Sequence, residues 1–265
     1  DSTMKLLFDY QIFSLQSFGG ISRYYYEIAR SLCGINGIKV TIFAPLHVSG
    51  YFQKGDGIRV LGIRIRAKSD SLRIARAIDR RLQKLASFFF SDIDIFHETY
   101  YSSDDNCPAR AKRVITVYDM IHEKFPVYFS SDADEQFKSQ KAKAIRRADH
   151  VICISECTRK DLMEILGIPD SKISVVHLGC SLAPKVTSTP VRSSDEKPYL
   201  LYVGLRNGYK NFEHLLRAYA SSRFLMESFD LVCFGGGAFN AVEHDLIQSL
   251  DIPAASVKHI GGDDN

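Results

Sequence analysis

The sequence predicts an α/β fold in which helices cover both faces of a parallel sheet. Short apolar runs bounded by turn residues alternate with longer segments whose apolar residues recur at helical spacing. The apolar runs include KLLFDY, KVTIFA, IDIFH, RVITVYD, HVICIS and ISVVHLG, and the alternation restarts with YLLYVGL near residue 199. Strands and helices that alternate in this way are typical of βαβ units, so we predict doubly wound, Rossmann-like domains.

Helices are predicted over 20–33, 71–87, 132–147 and 156–166 in the first part of the chain. The helix over 156–166 has recognisable ends, because Ser155 can cap its first turn and Gly167 precedes Pro169. We expect the first and last of these helices to bury one apolar stripe each, formed by Ile21, Tyr25, Ile28, Ala29 and Leu32 in one and by Leu162, Ile165 and Leu166 in the other.

The chain is predicted to hold two domains joined by a polar linker. We assign residues 1–185 to a first Rossmann-like domain, the polar and proline-containing stretch 186–198 to the linker, and 199–265 to the first part of a second Rossmann-like domain. Helices are predicted over 211–222 and 241–250 in the second domain. A sheet of two or three strands leaves apolar faces open, so we expect this domain to be truncated and the natural chain to continue.

The composition is that of a globular protein, with 45% apolar and 25% charged residues and a net charge of +3. So small an excess of positive charge argues against a nucleic-acid-binding protein, and no apolar run is long enough to span a membrane. The first ten residues lack the pattern of a secretory signal, so we expect a cytoplasmic protein with reduced cysteines. Cys153 and Cys157 lie four residues apart without a second pair at zinc-site spacing, and no metal site is predicted.

The glycine pair in SFGGIS stands between the first strand and the first long helix. Gly19 and Gly20 can present bare backbone N–H groups at a helix amino terminus, where an anion such as a phosphate is stabilised. The alternative is a tight turn that needs glycine for a positive φ. The loop has no GxGxxG pattern, which disfavours a nicotinamide-dependent oxidoreductase.

Two loops of the second domain carry candidate anion-binding residues. Arg206 and Lys210 stand four apart in GLRNGYKNF and can hold a diphosphate between two cations without a metal. Gly235 and Gly236, in CFGGGAF, can let a nucleotide approach the backbone. Solvated loops with no ligand are the alternative for both segments.

Two further clusters follow strands of the first domain. DIFHETYY ends in His97, Tyr100 and Tyr101, while TVYDMIHEKFP contributes a second group at 118–122, namely Tyr118, Asp119 and His122. Such side chains suit hydrogen bonding to sugar hydroxyls, and their rings can cover the apolar faces of a pyranose. The alternative is that these are structural groups satisfied inside the domain.

The predicted helix over 71–87 is basic and amphipathic. One stripe carries Leu72, Ala75, Ile78, Leu82 and Leu85, and Arg73, Arg76, Arg80 and Lys84 lie opposite, followed by Phe88, Phe89 and Phe90. Residues 64–90 could therefore contact an anionic membrane. The alternative is a domain helix with a solvated basic face, followed by a buried strand.

These segments, in this order and over essentially the whole chain, resemble glycosyltransferase family 4, the retaining enzymes with the two-domain GT-B fold. The resemblance is carried by FGGISRYYYEIARSL, DIFHETYY, RVITVYDMIHEKFP, ADHVICISECTRKDLMEILGIPDSKISVVHLG, YLLYVGLRNGYKNFEHLLRAY and LVCFGGG. HETYY, YDMIHEKFP and GYKNF look most like the bacterial branch that builds lipopolysaccharide O-antigen from GDP-mannose. The resemblance implies a nucleotide-sugar donor, a glycan or lipid-linked glycan acceptor, no metal and no further cofactor.

The resemblance also assigns roles to residues. It implies that Gly19, Gly20, Arg206 and Lys210 contact the donor diphosphate, with Gly235 and Gly236 beside the nucleotide. His97, Tyr100 and Tyr101 are expected on the acceptor side. Where many relatives have a histidine that contacts the donor sugar, this chain has Tyr118, so Asp119 or His122 is expected to take that part. The E-x7-E carboxylates of the family are expected beyond residue 265.

The implied reaction is transfer of a hexose, with retention at the anomeric carbon, onto an acceptor hydroxyl. Three alternatives stay open: a catalytically incompetent fragment that binds a nucleotide sugar or glycan, a nicotinamide-dependent oxidoreductase and a nucleotide-sugar epimerase. Among transferases, a UDP-sugar donor is the alternative to GDP-mannose. The acceptor, the linkage and the oligomeric state do not follow from the sequence.

Overall fold

The computed structural model describes residues 3–52, 55, 57–66, 69–180, 197–206 and 208–261, without the side chains of 69–71. The chain divides into two compact units, Asp1–Ala183 and Pro184–Asn265. Most of the linker predicted over 186–198 lies outside the described residues.

The first unit alternates strands with helices along its described length. Its elements in chain order are β1 (Met4–Phe8), α1 (Gln11–Leu15), α2 (Gly20–Cys33), β2 (Ile38–His47), β3 (Arg59–Arg64), α3 (Ser69–Phe89), β4 (Ile95–Glu98), β5 (Lys112–Val117), α4 (Ile121–Lys124), α5 (Asp132–Arg147), β6 (His150–Cys153), α6 (Glu156–Leu166) and β7 (Ile173–Val175).

In the described part of the first unit, seven parallel strands form one sheet in the order β3-β2-β1-β4-β5-β6-β7. Strands β2 and β3 lie on one side of β1, and β4 and the later strands lie on its other side. The order of strands therefore reverses between β1 and β4, and this switch point is where ligands bind in doubly wound folds. Both faces are covered: Leu6 and Phe8 of β1 join one buried cluster, and Leu7 between them joins another.

The second unit is smaller, and its sheet is also parallel. It contains β8 (Tyr199–Val203), α7 (Phe212–Ser221), α8 (Arg223–Ser228), β9 (Asp230–Phe234), α9 (Ala241–Ser249) and β10 (Val257–Ile260), with described strands in the order β10-β9-β8. Its buried cluster lies around Phe212, Leu216 and Leu231. Tyr199, Leu201 and Val203 of β8 are exposed. This confirms the expected open sheet face, and the α/β class predicted for both units is also confirmed.

Local sequence signals place several helices correctly. Ser155 accepts a hydrogen bond from the Thr158 N–H at 3.1 Å, and Gly167 ends α6 in the left-handed conformation at φ 66°. The stripe predicted for α2 packs on the core, with Tyr25 and Ala29 fully buried. In α6 the prediction is wrong for Ile165, which is exposed. Helices α1, α4 and α8 and the edge strand β3 were not predicted.

The helix α3 is buried through a different face from the one expected. Its described inward positions are Ala75, Asp79, Gln83 and Ala86, whereas Ile78, Leu82 and Leu85 of the predicted stripe are exposed. The reason is tertiary: the Asp79 carboxylate accepts hydrogen bonds from the Ser14 hydroxyl and the Leu46 N–H, both at 2.8 Å. The helix continues to Phe89, so Phe88 and Phe89 are helical, and the buried strand that follows the helix is β4. No helix in the described ranges is long and apolar enough to cross a membrane.

Candidate functional site

The carboxyl ends of the described strands in the second unit bring two glycine loops together. The Gly204 N–H donates to the carbonyl of Phe234 at 2.9 Å, and the Gly235 N–H donates to the carbonyl of Ile260 at 3.1 Å. The loops that follow β8 and β9 therefore lie side by side at one edge of this sheet. That edge is where nucleotides bind in parallel α/β sheets.

The glycine run after β9 is required by the packing of these loops. Gly235, Gly236 and Gly237 all have positive φ, between 74° and 77°. A Cβ on Gly236 would lie 2.6 Å from the Gly204 carbonyl oxygen, which is too close for any other residue. A Cβ on Gly237 would meet nothing within 4 Å, so that side of the loop is open. The close approach that the structure shows at Gly236 is to Gly204, while contact with a nucleotide stays a prediction.

The Arg206 side chain is buried, and its hydrogen bonds hold the glycine loop that follows β9. Its Nε donates to Glu243 Oε1 at 2.8 Å, and its Nη1 and Nη2 donate to the carbonyls of Gly235 and Gly237 at 3.1 and 2.9 Å. The guanidinium also lies 4.8 Å from the centroid of the Phe239 ring. Most of its five donors are thus used within the protein. The observed contacts position the glycine loop, and direct contact between Arg206 and a donor diphosphate stays a prediction.

Lys210, in contrast, is exposed at the end of the turn that precedes α7. Its Nζ lies 5.0 Å from the Tyr209 ring centroid, and no acidic side chain pairs with it in the described part of the chain. Asn211 follows in the left-handed conformation, at φ 57°. Of the two predicted cations, Lys210 is therefore the one that a ligand can reach.

In the first unit, the pair Gly19 and Gly20 stands at the start of α2. Gly19 is extended and Gly20 is helical, so the alternative of a turn that needs positive φ is wrong. The Gly19 N–H donates to the Tyr51 hydroxyl at 3.3 Å, and the side chain of Gln16 accepts from Ser22 N–H at 3.3 Å. A Cβ on Gly20 would meet nothing within 4 Å, so space is open in front of this residue. Anion binding here stays a prediction.

His97, at the end of β4, is buried rather than presented at the surface. Its Nε2 lies 3.0 Å from the Thr116 hydroxyl and 3.4 Å from the Tyr25 hydroxyl, and its ring contacts Phe8. Burial lowers the pKa of His97 to about 3, so the ring is neutral at physiological pH. These are the contacts of a structural histidine, and contact with an acceptor stays a prediction.

The second strand-end cluster is held by a buried lysine. Lys141 of α5 donates to the Asp119 carbonyl at 2.7 Å and to Glu123 Oε2 at 3.0 Å. The Asp119 carboxylate itself is exposed, and among the described residues it accepts a local hydrogen bond from the Ile121 N–H at 3.2 Å. Lys141 therefore fixes the backbone that presents the Asp119 carboxylate to solvent.

Tyr118 directly precedes this lysine-held segment, and His122 lies within it. The Tyr118 hydroxyl is buried without a hydrogen-bond partner among the described residues, and desolvation raises its pKa well above the ordinary range. The His122 ring centroid lies 4.2 Å from that of Phe129 and 4.6 Å from that of Phe137. Its Nδ1 is buried and has no hydrogen-bond partner among the described residues. Desolvation lowers the pKa of His122, and the nearby Lys141 adds to this effect.

A cavity of about 240 Å³ opens beside the switch point of the sheet. It is lined by residues that follow β1 and β4 and by side chains of α1, α3 and α5: Tyr10, Gln11, Leu15, Arg76, Arg80, Tyr100, Tyr101, Ser102, Ser103, Asp104, Phe137 and Gln140. Of the predicted acceptor-side residues, Tyr100 and Tyr101 line this cavity, whereas His97 does not. The ring of Phe137 joins them to His122 in one aromatic group.

Several residues of this cavity were missed by sequence reasoning. Tyr10 and Gln11 lie within three residues of the end of β1, so the rule that ligands bind at strand ends could have identified them. Their position is fixed by the buried Asp9, which accepts hydrogen bonds from the Gln11 side chain at 2.6 Å and from the Thr99 N–H at 2.9 Å. Burial raises the pKa of Asp9. No local signal identifies Arg76, Arg80 or Gln140, because their approach depends on how α3 and α5 pack.

The described residues contain no cluster of histidine, cysteine and acidic side chains that could hold a metal ion. The six cysteines are free, with Cys153 and Cys233 buried.

Comparison with solved structures shows the same architecture. The apo form of the lipopolysaccharide outer core galactosyltransferase WaaB is 17% identical, with 98% of this chain and 69% of that chain covered and a TM-score of 0.58. A glycosyltransferase from Rickettsia africae ESF-5 is 17% identical over 99% and 69% of the two chains, with a TM-score of 0.55. WaaG, a glycosyltransferase involved in lipopolysaccharide biosynthesis, is 12% identical over 98% and 70%, with a TM-score of 0.64. These likenesses confirm the predicted GT-B fold.

Comparison of the sequence identifies the family. No match is found among curated proteins. The model of the family described as Glycosyltransferase Family 4 matches residues 18–183, which is more than half of the chain and includes both strand-end clusters and the glycine pair. The chain therefore belongs to glycosyltransferase family 4.

Proposed function

We propose that the protein is a hexosyltransferase that uses a nucleotide sugar as donor and that the second unit binds its diphosphate. The observation that carries this proposal is the exposed Lys210, which has no acidic partner in the described residues and follows the loop packed against the glycines after β9. An exposed ammonium group without an acidic partner in the described residues is suited to a diphosphate. The proposed donor is GDP-mannose, because the segments HETYY and GYKNF resemble enzymes that use it, and a UDP-sugar is the alternative.

The proposed chemistry stabilises the leaving group. As the bond between the anomeric carbon and the diphosphate breaks, negative charge grows on the diphosphate oxygen. Lys210 would stabilise that charge more in the transition state than in the ground state. Arg206 would contribute by holding the glycine loop in place. The departing diphosphate oxygen would take the acceptor's proton on the same face, which gives retention without a protein nucleophile or a metal.

The acceptor is proposed to enter the cavity of the first unit. Tyr100 and Tyr101 offer rings to a pyranose face, while Gln11 and Gln140 offer amides to sugar hydroxyls. Arg76 and Arg80 add positive charge, of which Asp104 neutralises part through its ion pair with Arg80 at 2.9 Å. These side chains suit a glycan or a lipid-linked glycan that carries an anionic group. The proposed location is the cytoplasm, at the inner face of the cell membrane.

Calorimetric titration with GDP, UDP, ADP and NAD in EDTA tests the donor site. We expect GDP to bind most tightly without a metal and Lys210→Met to weaken it about tenfold or more, since a hydrogen bond to a charged group is worth about 1.5–3 kcal/mol. The matched control is Arg223→Gln, because Arg223 is an exposed cation of the same unit at 88% side-chain exposure. Equal loss in both variants would show only a general effect of charge.

Turnover with GDP-mannose or a UDP-sugar then separates the alternatives. A transferase releases nucleoside diphosphate only when an acceptor glycan is present, whereas an epimerase converts the nucleotide sugar alone. Preference for NAD would favour an oxidoreductase. Tight binding of a nucleoside diphosphate without turnover on any acceptor would favour the binding fragment, and no binding at all would refute the proposed donor site.

A further inference from the structure

The apolar turn, residues 125–129, presents three large apolar side chains to solvent directly after α4. Phe125, Val127 and Tyr128 are 46%, 81% and 55% exposed. The turn is closed by its own backbone, because the Tyr128 N–H donates to the Phe125 carbonyl at 3.0 Å. Single exposed apolar residues are normal on a protein surface, but three within four positions of one hydrogen-bonded turn indicate a contact surface.

The apolar turn is joined to the cavity of the first unit by a series of ring contacts. The Phe129 ring centroid lies 4.2 Å from that of His122, and the His122 centroid lies 4.6 Å from that of Phe137. Phe137 lines the cavity together with Tyr100 and Tyr101, and its ring contacts both. The rings therefore form one continuous group that begins inside the cavity and ends at the exposed turn.

The cavity itself is small for a ligand of several sugar units. Its volume is about 240 Å³, whereas pockets that enclose a drug-sized ligand measure about 300–1,000 Å³. A longer glycan that enters the cavity must therefore extend beyond it. Aromatic side chains can cover the apolar faces of pyranose rings, so the continuous group of rings is a path along which such a glycan can lie.

Polar groups beside the apolar turn indicate a ligand that carries hydroxyl groups. Helix α4 has four residues and is therefore about 6 Å long, so only a short distance separates the exposed Asp119 carboxylate before it from the turn after it. Within α4, the buried Nδ1 of His122 has no hydrogen-bond partner among the described residues. A carboxylate accepts hydrogen bonds from hydroxyls, and a sugar offers hydroxyls at the edge of its apolar face.

The charges around the apolar turn oppose other partners. Lys124 is paired with Asp161 at 2.7 Å, whereas the carboxylates of Asp119 and Asp132 are exposed on either side of the turn. Negative charge repels an anionic bilayer, and a second copy of the turn would bring the same carboxylates together. A neutral glycan meets no such repulsion.

We propose that the apolar turn is a second acceptor subsite, at which Phe125 and Tyr128 stack on a sugar unit that lies outside the cavity. The acceptor is then a glycan of two or more units rather than a single sugar, and the turn selects acceptors by their length. This inference rests on the proposed entry of the acceptor into the cavity, and it does not depend on the identity of the donor.

A glycan microarray with defined saccharides of one to six units measures acceptor binding without any donor. We expect tighter binding of longer glycans than of the single sugar that ends them. Tyr128→Ser is expected to weaken binding of the longer glycans about threefold to tenfold and to leave single sugars unchanged, whereas Tyr128→Phe keeps the ring and the affinity. The matched control is Phe224→Ser, which removes a phenylalanine of the second unit that is 67% exposed. Circular dichroism confirms that each variant is folded.

Gln140→Ala distinguishes failure of this inference from failure of the proposed acceptor site. Gln140 lines the cavity, so its loss should weaken the binding of single sugars and of longer glycans alike. Weaker binding in Gln140→Ala but not in Tyr128→Ser would keep the cavity as the acceptor site and overturn the role of the turn. If the unmodified chain binds no glycan on the array, both proposals fail.

Fluorescence supplies an independent readout, because the chain contains no tryptophan. Tyr128→Trp places a single reporter in the apolar turn, and Phe224→Trp places one on the second unit. With a trisaccharide that binds on the array, we expect the emission of the first reporter to change and that of the second to stay constant. The single sugar should change neither.

Two further results would overturn the proposal. One is an equal response of the two reporters to the trisaccharide, which would exclude stacking at the turn. The other is a concentration-dependent dimer that Tyr128→Ser dissociates, with equal affinity for glycans of every length, which would assign the turn to a second copy of the chain.

Discussion

Replacing Arg206 tests whether this residue contacts the ligand or supports the loop. The variant Arg206→Met removes the guanidinium, which lies over the Phe239 ring, while keeping much of the apolar stem of the side chain. Because Arg206 is only 3% exposed and is ion-paired with Glu243 at 2.8 Å, its removal leaves a largely buried carboxylate without its partner.

The expected loss of stability follows from that geometry. Breaking a buried ion pair by removing one partner costs about 3–5 kcal/mol, and the carbonyls of Gly235 and Gly237 also lose their donor. A loss of this size is a large share of a domain's total stability of about 5–15 kcal/mol. Adding Glu243→Gln removes the stranded charge but keeps an acceptor for the Asn240 N–H, so we expect the double variant to regain part of the loss.

Urea unfolding followed by circular dichroism measures these differences, and titration with GDP at low urea measures binding. We expect Arg206→Met to lower both, and Lys210→Met, which removes an exposed cation, to lower binding alone. The reasoning is refuted if the free energy of unfolding of Arg206→Met lies within about 0.5 kcal/mol of that of the unmodified chain while GDP binding falls. In that case the guanidinium acts on the ligand rather than on the loop.

Three further predictions concern stability and the glycine loop. His97 has a folded-state pKa of about 3 against about 6.5 when unfolded, so acid favours the unfolded chain. We expect the free energy of unfolding, measured with urea, to be about 2 kcal/mol lower at about pH 5 than at about pH 7.5. The same change of pH should lower the stability of His97→Asn by less. Equal losses in the two chains would contradict this prediction. Lys141→Met is expected to cost about 3–5 kcal/mol by the same method, with partial recovery on adding Glu123→Gln, and a neutral effect would refute the role of the pair. Gly236→Ala is expected to weaken GDP binding more than Gly237→Ala in calorimetric titration, because both have positive φ but only the first meets backbone at 2.6 Å; equal losses would indicate strain alone.

The features that could be predicted from the sequence are those encoded by neighbouring residues. The ends of α6 depend on Ser155 and Gly167, which lie within or next to the helix they delimit. The alternation of strands and helices is likewise local, and it sufficed for the α/β class of both units. The exposed Lys210 and the cavity residues Tyr100 and Tyr101 lie where a parallel sheet presents its loops.

The features that could not be predicted depend on partners far away in the chain. Asp79 is buried because Ser14 and the Leu46 backbone, 65 and 33 residues away, satisfy its carboxylate. Hydrophobic periodicity ranks an aspartate as an outward residue, so the predicted face of α3 was wrong. Arg206 has the same property, since Glu243 lies 37 residues further on. A charge pattern alone does not distinguish a cation that is available to a ligand from one that is already paired inside the protein.

Both units use a buried cation to hold the backbone of a strand-end loop. Lys141 donates to the carbonyl of Asp119, and Arg206 donates to the carbonyls of Gly235 and Gly237. In each case an exposed charged group belongs to the loops at the same strand ends: the Asp119 carboxylate in the first unit and the Lys210 ammonium in the second. A buried charge is costly unless it is paired, so it is retained where it fixes geometry, whereas an exposed charge loses little solvation until a ligand arrives. Exposure therefore separates the positioning residues, whose loss should appear first in unfolding, from the residues whose loss should appear first in binding.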